Sequence, residues 1–265
     1  MAHIIAIVNQ KGGVGKTTTA MNLSTALAAC GKKVLLVDFD PQGNATTGFN
    51  LDKSSNKQNS YSLIMQKAAI EDTVISTSVP NLSLIPSTIH LSGAEVELVP
   101  VMAREYRLRD SLKSIRDQYD YIFIDCPPSL GLLTLNALSA STEVLVPLQC
   151  EFFAMEGVSQ LLQTVKLVKR NLNPNIEVGG VLLTMFDVRN RLSGMVEKEV
   201  REHLGRLVYK TLIPRNVRVS EAPSHGKPVL LYDVACAGSQ AYIRLAGEMI
   251  RRHNHLSNAK VGVAA

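Results

Sequence analysis

A glycine-rich loop follows a short apolar run near the start of the chain and leads directly into a helical pattern. The apolar run covers residues 4–8, the loop reads Lys-Gly-Gly-Val-Gly-Lys-Thr-Thr over residues 11–18, and helical spacing continues to Cys30, before Gly31. Glycines allow backbone N–H groups to converge on phosphate oxygens, and the N-terminus of the next helix adds its positive dipole end. The feature therefore restricts the chain to an α/β fold in which a strand, a phosphate-binding loop and a helix follow one another.

The loop predicts a nucleotide site with distinct roles for its side chains. We expect Lys16 to contact the β- and γ-phosphates of ATP, and the Thr17 hydroxyl to be a ligand of Mg²⁺, which prefers oxygen ligands. The predicted nucleotide contacts are Lys11, Gly12, Gly13, Val14, Gly15, Lys16, Thr17 and Thr18. A chance glycine-rich turn is the competing interpretation, but the spacing, the Lys-Thr pair and the strand-loop-helix context all argue against it.

Apolar runs alternate with helical patterns along the rest of the chain, which is typical of a mostly parallel, twisted sheet with helices on both faces. The further predicted strands are residues 34–37, 121–124, 144–147, 178–183 and 208–213. The clearest helical stretches are residues 103–116, 157–171, 193–204 and 238–253. Residues 50–59 are polar and irregular, which predicts a surface excursion. We expect one domain over residues 1–254 and a flexible C-terminal tail over 255–265.

An acidic residue follows each of two predicted strands, where the carboxyl end of a parallel strand can face a bound ligand. Asp125 ends the sequence Tyr-Ile-Phe-Ile-Asp, a Walker B arrangement, and is predicted to hold Mg²⁺ directly or through water. Asp40 follows the strand at 34–37 and is our candidate for orienting the attacking water. The alternatives are a turn-stabilising role for Asp40 before Pro41 and a structural role for Asp125.

The positive charge of the chain is concentrated in one stretch. Residues 188–227 contain nine Lys or Arg and four Asp or Glu, which accounts for the whole net charge of +5. A localised positive surface can bind a polyanion through phosphate contacts, whereas a solvated helix face of the same composition binds nothing. Charge alone leaves both interpretations open.

Several other classes of protein are disfavoured. No apolar run approaches the roughly 20 residues of a membrane span, and no leader precedes the first strand, so we expect a cytoplasmic protein without a membrane partner. The four cysteines lack C-x-x-C spacing, which argues against a disulfide framework or a zinc site and predicts buried, inert thiols. They are Cys30, Cys126, Cys150 and Cys236. His253 and His255 are predicted to be exposed on the tail rather than to bind a metal.

The loop departs from the general G-x-x-x-x-G-K-[ST] pattern, because Gln10 stands at the first glycine position and a second lysine, Lys11, opens the motif. In this form it resembles the deviant Walker A loop of the ParA/MinD family of P-loop NTPases. The resemblance implies an ATPase with Lys11, Lys16 and Asp40 as catalytic residues. It also implies a face-to-face homodimer in which Lys11 reaches the partner's nucleotide and offsets charge at the γ-phosphate.

Residues 213–228 resemble the ParA/Soj branch of that family nearly residue for residue. In that branch the loop flanks the adenine, which makes Pro214 and Asn216 candidate base contacts. The resemblance assigns the arginines of this loop and of residues 186–191 to DNA, through backbone phosphates and hence with little sequence preference. The implied DNA-binding residues are Arg189, Arg191, Arg215 and Arg218, on two loops that follow neighbouring strands. Arg189 and Arg218 are the better candidates, since Arg215 lies next to the proposed base contacts.

The resemblance, which covers residues 4 to about 250, implies an ATPase that partitions chromosomes or plasmids. It also implies that ATP and Mg²⁺ favour a dimer that binds DNA and that a ParB-like centromere-binding protein stimulates the hydrolysis that releases it, so the protein is expected on the nucleoid. A MinD-like positioning ATPase acting on a membrane or protein surface is the alternative, but residues 253–265 lack the bulky apolar residues of a membrane-binding amphipathic helix. A cluster carrier needs paired cysteines and a metabolic kinase needs an acceptor site, and neither has a match.

Overall fold

A seven-stranded sheet forms the centre of the protein, whose computed structural model describes residues 2–52, 58–151 and 154–262, with side chains up to His255. The strands are β1 (His3–Ile7), β2 (Val34–Asp38), β3 (Ile75–Ser76), β4 (Leu82–Ile85), β5 (Tyr121–Asp125), β6 (Glu143–Gln149) and β7 (Glu177–Thr184). Their order is β3-β4-β2-β5-β1-β6-β7. Among the described strands β3 pairs antiparallel with β4, and the other pairings are parallel. The mostly parallel α/β fold predicted from the sequence is confirmed.

Helices cover both faces of this sheet. Those in the described ranges are α1 (Lys16–Ala29), α2 (Asn44–Gly48), α3 (Ser60–Ile64), α4 (Leu91–Glu97), α5 (Arg107–Leu112), α6 (Leu132–Ala140), α7 (Ala154–Asn171), α8 (Arg191–Leu204), α9 (Val217–Glu221), α10 (Val229–Tyr232) and α11 (Ala237–Gly262). Alternate residues of β1 face opposite ways, with Ile5 and Ile7 packed in the core beneath α1 and α11 and Ala6 in the core beneath α6 and α7. Burial of both strand faces explains why the sequence shows unbroken apolar runs here.

Residues 208–213 do not form the strand that their apolar pattern predicted, so that expectation is wrong. The segment runs parallel to the edge strand β7 and is bridged once to β7 and once to a residue just past its end. The bridges join Val181 to Val208 and Phe186 to Pro214. Between them, the Lys210 and Thr211 backbone N–H groups donate to the Glu248 carboxylate of α11 over 2.8 and 2.9 Å. Because these two N–H groups bind a side chain of the helix, they are not available to the sheet, and the hydrogen-bond ladder between the segment and β7 is interrupted.

Two other stretches differ from the sequence expectation. The helix predicted over residues 103–116 is broken, and its α-helical part is α5, flanked by the short 3₁₀ turns Arg104–Tyr106 and Arg116–Gln118. Ala103 has a φ of 54°, in the left-handed region, so it cannot be part of the right-handed helix predicted to include it. The strand β4 was not predicted, because its four residues are too few to show a clear period.

His253 is 4% exposed, so the expectation that it lies in solvent on a tail is wrong. Its Nε2 lies 3.0 Å from Glu143 Oε2 and its Nδ1 lies 3.2 Å from the Tyr121 hydroxyl. His3 Nδ1 lies 3.0 Å from the other oxygen of Glu143. Burial alone would raise the pKa of Glu143, but the bonds from His253 and His3 outweigh it and lower that pKa to about 2. Glu143 therefore joins the first strand to the last helix.

The cluster of His3, Glu143 and His253 has potential metal-ligand atoms within 4.8 Å of one another. The two imidazoles stack with ring centroids 3.8 Å apart and an interplanar angle of 7°. Nitrogen lone pairs lie in the ring plane, so two parallel rings direct theirs along separate planes. His3 contacts one carboxylate oxygen of Glu143 and His253 contacts the other, as in a hydrogen-bonded cluster.

The C-terminal helix continues to Gly262, into the stretch predicted to be a flexible tail. Residues 263–265 and the side chains after His255 lie outside the described part, so the boundary at 254 stays a prediction. Within the predicted excursion at 50–59, residues 53–57 are likewise outside it, while Asn59 is buried and caps α3.

The cysteines are free thiols in different environments. Cys126 and Cys150 are buried, as expected, but Cys30 is exposed and Cys236 is half-buried, so the prediction of four buried thiols is wrong for these two. No helix in the described ranges has the length and apolar character needed to cross a bilayer.

Candidate active site

The carboxyl ends of β1, β2 and β5 meet at one edge of the sheet. In the sheet register Asp125 lies beside Ile7 on one side and beside Asp38 on the other. The glycine-rich loop leaves β1 at this edge, and Asp40 lies two residues beyond the end of β2. Ligands of open α/β sheets bind at the carboxyl ends of the strands. The structure thus brings the loop, Asp40 and Asp125 together where a nucleotide would be bound.

The loop has a backbone conformation suited to phosphate. Gly13 and Gly15 have φ values of 75° and 88°, which side-chain-bearing residues rarely adopt. No described atom lies within 4 Å of the place that a Cβ would take on Gly12 or Gly13, so the loop is open there. Lys16 begins α1, and no described side chain caps this helix N-terminus. Its N–H groups and dipole are therefore available to an anion.

Two residues that the sequence did not single out hold the loop in place. Asn9 Nδ2 donates to the Pro147 carbonyl over 2.7 Å, and Asn9 Oδ1 accepts from the Lys11 N–H over 3.0 Å. The Thr184 hydroxyl donates to the Val14 carbonyl over 2.9 Å. These bonds fix the loop to the ends of β6 and β7.

The Lys16 side chain is buried beneath the loop. Its Nζ donates to the Lys11 carbonyl over 3.1 Å. Burial lowers the pKa of Lys16, and the charges of Asp125 and Asp40 oppose that shift. The ammonium group is thus held on a neutral carbonyl, and a phosphate oxygen would be a stronger, charged acceptor.

Asp125 is completely buried, and neither of its carboxylate oxygens has a hydrogen-bond partner among the described residues. Burial and the neighbouring Asp38 raise the pKa of Asp125 well above its ordinary value. The nearby Thr17 hydroxyl opposes this rise in the pKa of Asp125. It does not, however, make a hydrogen bond of full geometry to either Asp125 oxygen. Buried carboxylate oxygens without partners, beside a hydroxyl, are the donors that Mg²⁺ prefers. The residues therefore fit the ion.

Asp38 is a site residue that the sequence analysis missed. Its buried Oδ2 accepts from the Thr46 backbone N–H over 2.7 Å and from the Thr46 hydroxyl over 2.6 Å. The Thr46 hydroxyl in turn accepts from the Ser87 N–H over 2.9 Å. Asp38 thereby holds α2 against the end of β2. The repeated acid in the run Asp-Phe-Asp over residues 38–40 was the available signal.

Asp40 stabilises a turn, which was the alternative role considered for this residue. Its Oδ1 accepts from the Gln42 N–H over 2.9 Å, and its carbonyl accepts from the Gly43 N–H over 2.8 Å. The carboxylate also lies close enough to Lys16 to raise the pKa of that lysine. The turn fixes Asp40 beside the loop, and its role toward water stays a prediction.

Lys11 makes an ion pair with Glu151, which follows β6. The two side chains are 55% and 44% exposed. The backbone of Lys11 serves the loop, through Asn9 and Lys16, but its ammonium group contacts a residue 140 positions away. The Lys11 side chain therefore pairs with a residue outside the phosphate loop, and only the Lys11 backbone takes part in the hydrogen bonds of the loop.

The two candidate base contacts lie where the segment beside β7 reaches the same edge. The Phe186 carbonyl accepts from the Arg215 N–H over 3.0 Å, which places Pro214 and Asn216 just past the end of β7. Asn216 Oδ1 accepts from the backbone N–H groups of Arg218 and Val219 over 3.0 and 3.4 Å, and so caps α9. The cap fixes the Asn216 side chain by its oxygen.

The four candidate arginines are exposed, and two of them are held by neighbouring acids. Arg189, whose side chain is 88% exposed, binds both oxygens of Asp187 over 3.1 and 3.2 Å. Arg218 Nη1 lies 3.0 Å from Glu221, and its Nε lies 3.6 Å from Asp233. A phosphate would have to replace these carboxylates.

The other two, Arg191 and Arg215, form no ion pair within the described ranges. The expectation of two loops after neighbouring strands needs correction, because Arg191 begins α8, Arg218 lies in α9, and the segment before Arg215 is not a strand.

Comparison with known proteins places the chain in a family. The model of the AAA_31 family, described as an AAA domain, matches residues 2–178. The chromosome partitioning protein ParA of Caulobacter vibrioides is 57% identical over 252 residues, which cover 94% of each chain. The sporulation initiation inhibitor protein Soj of Bacillus subtilis is 55% identical over 249 residues, 94% of this chain and 98% of that one. This chain belongs to the ParA/Soj family of chromosome-partitioning ATPases.

Solved structures share the fold of this chain. Cobyrinic acid a,c-diamide synthase from Mycobacterium smegmatis, with bound ATP analogue and magnesium, has a TM-score of 0.84 at 34% identity, covering 96% of both chains. The cell division ATPase MinD of Pyrococcus furiosus has a TM-score of 0.78 at 26% identity, covering 95% of this chain and 99% of that one. This ParA/Soj-family protein is an ATPase, and its cofactors are ATP and Mg²⁺.

Proposed function

We propose that this ATPase forms an ATP-dependent dimer that binds DNA without sequence preference and releases it after hydrolysis. One observation carries the proposal: the segment that follows Asp40 packs on the segment that follows Arg218. A Cβ on Gly48 of α2 would lie 3.9 Å from Pro223, and a Cβ on Gly226 would lie 2.5 Å from Asn50. A nucleotide-dependent movement beyond Asp40 would therefore reach the basic surface directly.

Within one protomer, the proposed site uses the groups gathered at the sheet edge. Residues 11–18 surround the phosphates, and Lys16 leaves the Lys11 carbonyl for the β- and γ-phosphate oxygens. Thr17 and Asp125 hold Mg²⁺, which when bound supplies positive charge to the phosphate oxygens. Asp40 orients the attacking water with the carboxylate oxygen that is not engaged by Gln42.

The dimer depends on Lys11. Its ammonium group makes an exposed ion pair with Glu151, so it can leave at low cost and reach a nucleotide held by a partner protomer. A cation supplied in trans stabilises charge that develops at the γ-phosphate. After hydrolysis that acceptor is gone, and Lys11 returns to Glu151 while the dimer loosens.

Pro214 and Asn216 flank the adenine in this proposal. With Oδ1 used by the cap of α9, the Asn216 Nδ2 group is the donor left for a ring nitrogen of the base. The same Asn216 side chain would thus contact the base and cap α9, the helix that carries Arg218.

DNA binding is assigned to Arg189, Arg191, Arg215 and Arg218, and dimerisation doubles this set. Phosphate contacts add across the two protomers, so affinity for DNA rises with dimerisation and falls with salt. A ParB-like centromere-binding protein stimulates hydrolysis, and the protein works in the cytoplasm on the nucleoid.

The deciding experiment measures co-sedimentation of the protein with two unrelated duplexes of equal length, in ATP, in ADP and without nucleotide. We expect both duplexes to carry down the protein in ATP alone. Equal sedimentation in ADP would contradict the nucleotide switch. Absence of DNA binding, together with ATP-dependent binding to vesicles or to a protein partner, would favour the MinD-like positioning ATPase.

A further inference from the structure

A groove of about 260 Å³ lies between α11 and the segment that runs beside β7. Its lining includes Lys210 on the segment and Arg244 and Arg251 on the helix. Gly247 lies between the two arginines in sequence and adds no side chain to the groove, with Arg251 Nη1 only 3.3 Å from where its Cβ would be. Three exposed cationic side chains therefore surround one open recess.

The acid at this groove does not neutralise the three cations. Glu248 is buried, and its carboxylate accepts from the Lys210 and Thr211 N–H groups, the Thr211 hydroxyl and Arg252 over 2.8 to 2.9 Å. Burial would raise the pKa of Glu248, but these hydrogen bonds outweigh it and lower the pKa. The charge of Glu248 is thus satisfied by groups other than the three cations.

None of the three cations forms an ion pair in the part of the chain that the structure describes. This differs from Arg189 and Arg218, each of which is held by an acid. A guanidinium or ammonium group without a carboxylate partner binds phosphate without first breaking a bond.

The groove also lies along the same edge of the sheet as Arg215 of the proposed DNA surface. Lys210 precedes Arg215 by five residues, a separation that spans at most about 17 Å of extended chain. The segment between them follows the edge strand β7 to its carboxyl end. A duplex seated on Arg215 can therefore reach the groove without leaving this edge.

We infer that the groove is a second phosphate-binding site for DNA, in which Arg244, Arg251 and Lys210 hold the backbone of a duplex already bound by the proposed arginines. The inference rests on the proposed function. A continuous polyanion suits it better than a short acidic peptide, because duplex DNA carries about one charge per 1.7 Å of its axis and can occupy both regions at once. The contacts carry no sequence information.

The test compares two double variants that lose the same charge. Arg244→Ala with Arg251→Ala removes two groove cations of α11, and Lys166→Ala with Arg170→Ala removes two exposed cations of α7, on the opposite face of the sheet. Affinity for a labelled duplex is measured in ATP across a salt series. The slope of log affinity against log salt is negative. Its magnitude should decrease by about 1.8 in the groove variant and stay at the parent value in the α7 variant. ATP hydrolysis and ATP-dependent dimerisation should be unchanged in both.

Several outcomes separate the possibilities. If the parent protein does not bind DNA in ATP, the proposed function fails; if it binds and the groove variant keeps the parent slope, only the groove inference fails. A groove variant that retains DNA binding but loses binding to phosphatidylglycerol vesicles assigns the groove to a membrane and also overturns it. Lys210→Ala, on the opposite wall, provides a second readout should the double variant fold poorly, with an expected fall in slope of about 0.9.

Discussion

Removal of the Glu151 carboxylate should strengthen the ATP-bound dimer. Glu151→Gln keeps the size of the side chain and abolishes its ion pair with Lys11. The proposed dimer needs Lys11 at the partner's nucleotide, so each protomer has to break this pair before it can associate. A protomer without the pair has its lysine already available.

The size of the effect follows from the exposure of the pair. Both side chains are roughly half exposed, and exposed ion pairs contribute about 0.2–1 kcal/mol. A two-fold dimer breaks two such pairs, so the change amounts to about 0.4–2 kcal/mol of association free energy. This corresponds to a dissociation constant lowered about 2- to 30-fold. The increase should vanish in ADP, where the lysine has no γ-phosphate to contact.

Sedimentation equilibrium in ATP, in an Asp40→Ala background that slows turnover, measures this constant. Glu156→Gln removes an equal charge from the first turn of α7 and should leave the dimer unchanged. Lys11→Ala should keep ATP binding by the monomer and suppress dimerisation. A weaker dimer in Glu151→Gln would place Glu151 at the interface itself and refute the competition between the two acceptors.

Three further results are expected. Lys16→Ala should abolish ATP binding by calorimetry, whereas Asp40→Ala should keep ATP bound with the dimer trapped, and normal turnover in the latter would remove its assigned role. Arg189→Ala and Arg218→Ala should each weaken binding to unrelated duplexes equally and lower the salt slope by about 1, with dimerisation intact; parent-like binding at near-physiological salt would reduce the basic stretch to a solvated face. The pKa of Glu143 is lowered from 4.5 to about 2, so its stabilisation is complete above the unfolded value and is lost as pH falls toward 2. Urea unfolding should show a loss of roughly 3 kcal/mol between about pH 5 and 2, and a Glu143→Gln protein with the same acid sensitivity would refute this account.

The parts of the site that could be predicted are those encoded locally. The strand, the loop and α1 are consecutive, and Asp125 ends an apolar run, so each could be recognised without knowing what packs against it. Asp40 was recognised in the same way. Its turn with Gln42 is also local, which is why both interpretations of this residue could be stated beforehand.

The parts that could not be predicted join distant positions. The Thr184 hydroxyl supports the loop from 170 residues away, and Lys11 meets Glu151 across 140. In two places, tertiary contacts produced a structure different from the one that the local sequence pattern predicted. Residues 208–213 have the composition of a strand, but Glu248 takes two of their N–H groups, and His253 resembles a tail residue until Glu143 binds it.

The position of β1 in the sheet has a consequence for synthesis of the protein. The strand β1 lies between β5 and β6, so its partners are made more than a hundred residues after it. The helix α1 (Lys16–Ala29) packs against α11 (Ala237–Gly262), which is made long after it. Pairings of such long range form slowly, and until they form the apolar faces of β1 and α1 are open to other chains. The phosphate loop, although encoded within residues 11–18, is held through Pro147 and Thr184, so it acquires its shape only after β6 and β7 have been made.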